Sequence, residues 1–223
     1  MAHKSRIWRL VSGHDLHANN KKKLYYMKIL VVAPTVRENR NIRAAIEAAQ
    51  GTLRHQYTVA FSGIGKAAAA ATIAKTILSA DEPFDCIAAI GFAAGALGFK
   101  QGEIVEPSRA WYHDCDVPEG FIPELTEPRK LLGKDNVTVF TGDSFVNARS
   151  VADIKRRFGV ERAIYDMEIQ AIVIAAEICG NLPVVAVKMI SDVPEDGHTE
   201  HSYDTFADAH SDFSEILARL EKL

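Results

Sequence analysis

At 223 residues the chain can bury one sizeable α/β core and is short for two. Its 26 basic residues against 29 acidic ones leave a formal charge of −3 with no basic face in the body of the chain, which argues against nucleic acid as a partner. The three cysteines, Cys86, Cys115 and Cys179, are far apart, odd in number and without CxxC spacing, so they read as reduced thiols of a cytoplasmic protein.

Residues 1–26 read as a polar N-terminal extension, expected to be poorly ordered, with Lys21-Lys22-Lys23 near its end. Arg9 interrupts the apolar stretch Ile7–Val11, so no signal peptide is read there, and no run approaches the roughly 20 apolar residues of a bilayer span. No membrane partner is expected. From Met27 short apolar runs alternate with amphipathic segments, the pattern of a single α/β domain over 27–223. Lys28–Ala33 predicts a strand and Glu38–Gln50 a helix. Tyr57–Ser62 predicts the next strand, followed by a helix over Lys66–Ala80 whose Ala67–Ala71 favours helix and close packing. Cys86–Gly91, Gly102–Pro107 and Val137–Thr141 predict three further strands. The spacing then predicts helices over Val151–Phe158 and Glu168–Cys179, a strand over Val184–Ile190 and one last helix over Thr205–Leu220.

Several segments carry chemistry. Phe61–Lys66 reads as a strand-to-helix turn, and because Ala67 follows Lys66 it is not a phosphate-cradling GxxxxGK[ST] loop. Gly91–Gly98 follows an apolar strand, where glycines and small residues allow close approach of a ligand to the backbone. Thr141–Val146 ends a strand, Tyr165-Asp166-Met167-Glu168 reads as opening a helix, and Ile190-Ser191-Asp192-Val193 ends another strand. His113-Asp114-Cys115-Asp116 offers four metal ligands, but alternate residues of an extended segment face opposite sides, so at most two could share an ion. His198-Thr199-Glu200-His201, placed in a loop, lacks the HExxH pattern. No metal is assigned.

Taken in order, Ser62–Lys66, Gly91–Leu97, Tyr112-His113-Asp114, Gly142–Phe145, Met167-Glu168 with Ala171, and Ile190–Val193 resemble the recurring segments of the nucleoside phosphorylase and nucleosidase superfamily. Within it they are most similar to the methylthioadenosine/S-adenosylhomocysteine nucleosidases, and the resemblance runs from Met27 to about Ala209. It implies a three-layer α/β/α fold around a central mixed, partly barrel-like sheet. It also implies hydrolysis of the N-glycosidic bond of an adenine nucleoside to adenine and a free 5-substituted ribose, with no cofactor. The implied partners are a small-molecule purine nucleoside and a second copy of the chain, a homodimer in which the partner subunit completes the 5′ pocket.

The resemblance also implies residue roles. Asp192 would deliver a proton to the purine N7, a task that burial favours by raising a carboxyl pKa. Glu168 would accept hydrogen bonds from the ribose 2′- and 3′-hydroxyls and stabilise the sugar cation. Glu38 would position and deprotonate the attacking water. Phe145 would stack on the purine while Ser144 and Val146 meet its edge, Met167 would pack beneath the ribose, and Gly91, Phe92, Ala93 and Ser191 would line the pocket. Phosphorylases of the superfamily place an arginine and a serine around the glycine turn that reads Ala89-Ile90-Gly91-Phe92 here, which favours water as the nucleophile. Arg37 and Arg40, just after the first strand, keep phosphorolysis as an alternative, and Phe92 together with two short loops keeps a non-catalytic nucleoside-binding homologue as another.

Overall fold

The computed structural model describes residues 27–115, 117 and 127–223. The expected N-terminal extension, 1–26, and Asp116 of the candidate ligand cluster lie outside the described residues.

Strand β1 (Lys28–Ala33) alternates faces along its whole length, with Leu30 and Val32 in one apolar cluster and Ile29, Val31 and Ala33 in the other. Both faces are therefore covered, which is why this strand reads as a continuous apolar run. It leads into α1 (Val36–Ala48), and β2 (Gln56–Phe61) pairs with it in parallel at the sheet edge before α2 (Lys66–Leu78). β3 (Cys86–Gly95) is the hub: it pairs in parallel with β1 and with β9 (Val184–Asp192), and its last two residues pair antiparallel with β8 (Ala163–Asp166). β8 continues the sheet to β7 (Asp135–Thr141), then to β5 (Pro107–Tyr112) and β6 (Arg129–Lys130), while β4 (Ile104–Val105) pairs with β9 off this path. The nine described strands form one mixed sheet that curls into a half-barrel.

The helices complete three layers. Ala69 and Ile73 of α2, Val151 and Ile154 of α3 (Ala148–Phe158), and Ile169 and Ile172 of α4 (Ile169–Gly180) pack into one cluster. Ile42 of α1, Phe206 of α5 (Glu200–Ala209) and Ile216 and Leu220 of α6 (Ser214–Leu220) pack into the other.

Four expectations are corrected. The strand predicted to end at Gly91 runs on to Gly95, because Phe92, Ala93 and Ala94 still find ladder partners on β9, across a bulge between Ala93 and Ala94, and Ala94 and Gly95 find theirs on β8. The strand predicted over Gly102–Pro107 is only Ile104–Val105, and a separate strand begins at Pro107. Tyr165 and Asp166 do not open a helix. They end β8, and the Asp166 carboxylate accepts from Ile169 N at 3.1 Å where α4 begins. The last helix is two helices, broken where Asp212 Oδ1 accepts from Ser214 N at 2.8 Å.

Candidate active site

The carboxyl ends of β1, β7, β8 and β9 and the second half of β3 surround one cleft with about 660 Å³ of empty space, part of it open to solvent. Ala94 is the register partner of both Tyr165 on β8 and Asp192 on β9, so it forms floor between them.

Glu38 reaches the cleft from the first turn of α1. Thr35 and Glu38 form a capping box: Glu38 N donates to Thr35 Oγ1 at 3.1 Å, and Glu38 Oε2 accepts from Thr35 N at 2.9 Å and Thr35 Oγ1 at 2.6 Å. Its other oxygen, Oε1, accepts from Phe92 N at 2.7 Å. That last bond needs the chain to pass close to the carboxylate. Gly91 has φ +129° and a Cβ there would lie 2.1 Å from Glu38 Oε1, so only glycine fits. Gly91, expected to line the nucleoside pocket, instead makes room for Glu38.

Glu168 is the residue before α4, buried, with Oε1 accepting from Gly65 N at 2.9 Å. Burial and the neighbouring Asp166 charge push its pKa up to about 7, against opposition from Lys188 and the Gly65 bond. Asp166 accepts from Thr141 Oγ1 at 2.7 Å and lies 3.4 Å from Lys188 Nζ. Lys188 is 1% exposed in the middle of β9. Burial pulls its pKa down, but Asp166, Glu168 and Glu38 outweigh burial and hold it above the usual lysine range, so it is charged. One buried cation is thus paired with Asp166 and held charged by the further negative charge of Glu168 and Glu38.

Asp192 ends β9, 6% exposed. Burial raises its pKa, and the opposing influences are a 2.5 Å bond from Ser191 Oγ and the His198 ring. Ser191 Oγ also lies 3.2 Å from Ala93 O, and His198 Nδ1 accepts from Val193 N at 2.8 Å, fixing the chain on either side of the carboxyl.

Ser144, Phe145 and Val146 line the cleft from the loop after β7, with Phe145 half-exposed at the mouth rather than in the core. Met167, Phe92, Ala93 and Ser191 line it as well. The sequence reading missed Thr35, Ile64, Tyr165, Asp166 and Tyr203 in the lining and Lys188 behind it. The capping box at Thr35 and Glu38 was visible as T-x-x-E before an apolar spacing; a lone lysine inside an apolar strand was the visible sign of Lys188.

The rival features have other engagements. Arg37 pairs with Asp208 at 2.6 Å and Asp204 at 3.7 Å on α5, and Arg40 lies in a surface groove with Val36 and Phe61. Neither lines the cleft. Asp114 holds Lys66 Nζ at 2.8 Å, and His113 is packed against Gly142, where a Cβ would lie 2.1 Å from its Nε2. Glu200 and His201, expected in a loop, open α5.

The fold is shared with several solved nucleosidases. A Streptococcus pyogenes S-adenosylhomocysteine nucleosidase in complex with 5-methylthiotubericidin is 22% identical, covering 89% of this chain and 98% of its own, with a TM-score of 0.73. A Neisseria meningitidis 5′-methylthioadenosine/S-adenosylhomocysteine nucleosidase in complex with methylthio-immucillin-A is 23% identical over 88% and 100%, again at 0.73. A Helicobacter pylori futalosine hydrolase mutant is 17% identical over 88% and 100%, at 0.70. The sequence profile of the phosphorylase superfamily matches residues 26–222. The fold, the ordered segments and this match agree: the chain belongs to the phosphorylase superfamily.

Proposed function

We propose that this protein hydrolyses the N-glycosidic bond of an adenine nucleoside of the methylthioadenosine/S-adenosylhomocysteine type, releasing adenine and a free 5-substituted ribose. The observation that carries the reading is the convergence of three buried carboxyl groups, Glu38, Glu168 and Asp192, on one cleft, with Asp192 biased by burial towards its protonated form.

Asp192 donates its proton to N7 as the C1′–N9 bond breaks, so the electron pair leaves with a neutral base. Glu168 accepts from the ribose hydroxyls, and its ionised form stabilises the positive charge that develops on the sugar. The water oxygen bonds to C1′ and its proton passes to Glu38, which is held in place by Thr35 and the Phe92 amide. Phe145 stacks on the base and Met167 underlies the ribose. Adenine nucleoside analogues bound to proteins of the same fold support this substrate class.

Water is favoured over phosphate because no arginine or lysine is among the described residues that line the cleft, so a phosphate dianion would find no cationic partner there, with Glu38 beside it instead. Incubation with methylthioadenosine, with and without phosphate, tests this by chromatography of free adenine. Equal release in both is expected. Release only with phosphate would make the protein a phosphorylase, and binding without release would make it a nucleoside-binding homologue. The reading extends to a cytoplasmic homodimer acting in nucleoside catabolism and methionine salvage.

A further inference from the structure

On the proposed reading most of the nucleoside's polar positions meet a partner in the cleft: N7 at Asp192, the 2′- and 3′-hydroxyls at Glu168, and the base edge at the backbone beside Phe145. The attacking water meets Glu38. Among the described residues of this chain the 5′ substituent is left without an assigned partner. Among the cleft's hydroxyls, Thr35 Oγ1 is spent on Glu38 in both directions, Ser191 Oγ is spent on Asp192, and Tyr165 Oη is sealed from solvent. Ser144 sits on the exposed loop at the base end. Tyr203 is different: it lines the cleft, half-buried, and its Oη makes no hydrogen bond among the described residues.

The ring of Tyr203 is held edge-on to Phe145 at 5.6 Å and to Phe92 at 6.1 Å, between the base-stacking ring and the strand that carries Glu38's amide partner. Its helix, α5, is tied to α1 by the Arg37 pairs to Asp204 and Asp208. We propose that Tyr203 Oη reads the 5′ position and admits nucleosides that carry a hydrogen-bonding atom there, of which a 5′-hydroxyl is the simplest. Burial is the first cause that raises the pKa of this phenol, followed by Glu38, so it is a neutral donor. The Phe92 ring that it meets belongs to the residue whose amide bonds Glu38, the group assigned to the attacking water, which puts the phenol beside the sugar end. A thioether sulfur is a weak acceptor, so a 5′-alkylthio substrate gains little from it.

This inference rests on the proposed hydrolysis. The test compares adenosine with methylthioadenosine in the wild type and Tyr203→Phe, following adenine release and melting temperature. In the variant, kcat/KM for adenosine should fall about 10-fold, the size of one hydrogen bond, while methylthioadenosine changes less than about 2-fold. The melting temperature should not fall, since the removed oxygen makes no hydrogen bond among the described residues. Equal losses on both substrates would overturn the inference, as would a wild type that cleaves methylthioadenosine and leaves adenosine intact. A wild type that releases adenine from neither would instead overturn the hydrolase reading, and the inference would go with it.

Discussion

Asp192 is buried beside one hydroxyl, so its charged form is disfavoured in the folded protein. The unfolded chain ionises this group at lower pH than the folded one does. The folded state therefore loses stability as pH rises past the ordinary aspartate value, and the penalty is present in full above the raised one. Asp192→Asn removes both the penalty and the proton. The expected outcome is a melting temperature higher by about 2–4 °C for each kcal/mol relieved, with kcat lower by at least about 100-fold. Normal turnover in the variant would refute the general-acid role. Glu168 behaves similarly between its ordinary value and about 7, but its coupling to Asp166 and Lys188 means that the cluster titrates together. The acidic limb of kcat/KM should rise through about pH 7 as Glu168 ionises. Lys188→Met should move that limb upward by about 1 unit or more, and Lys188→Arg should leave it near the wild-type position. An unmoved limb in the methionine variant would place the titration elsewhere. Lys188 was hard to interpret from sequence because a lone lysine in a strand ordinarily faces solvent. Here both faces of the sheet are covered, and its counter-charge, Asp166, sits on a strand that the sequence presented as a helix start.

The elements that were legible are those with one dominant signal. β1, the first part of β3 and β9 are apolar runs covered on both faces, and α2 begins with an alanine-rich stretch. Those that were not legible carry conflicting signals. β8 is four residues long and ends in a charge, and its place in the sheet comes from β3 and β7 on either side. The α5–α6 break is masked because Phe206 and Phe213 are two helical turns apart and face the same cluster, so the spacing runs straight across it. Gly91 shows the same ambiguity at the level of a single strand, since its sequence context suggested a ligand turn and its backbone serves the α1 carboxylate. Gly91→Ala should destabilise the protein by more than about 2 kcal/mol, through strain at a positive φ and collision with Glu38. Denaturant unfolding checks it, and a change under about 0.5 kcal/mol would mean that Glu38 swings away at little cost. In that case activity, rather than stability, would register the loss.

At the scale of the whole molecule, no described helix is long and apolar enough to cross a membrane. Phe145 and Ile64 are exposed large apolar side chains at the rim of the cleft. Association through that rim would shelter them, in keeping with the proposed homodimer. Sedimentation at micromolar concentration should give twice the chain mass, and dilution to monomer should raise KM for nucleoside. A fully active monomer would contradict it. The hub position of β3 has a further consequence, for synthesis. Its ten residues are nearly all buried, yet two of its three partner strands, β8 and β9, lie more than about sixty residues further along the chain. At ~5–20 residues per second, the ribosome leaves this apolar strand half-paired for several seconds at least. During that interval it is a sticky edge, and the nascent chain is most exposed to aggregation or chaperone capture before β9 emerges to close the sheet.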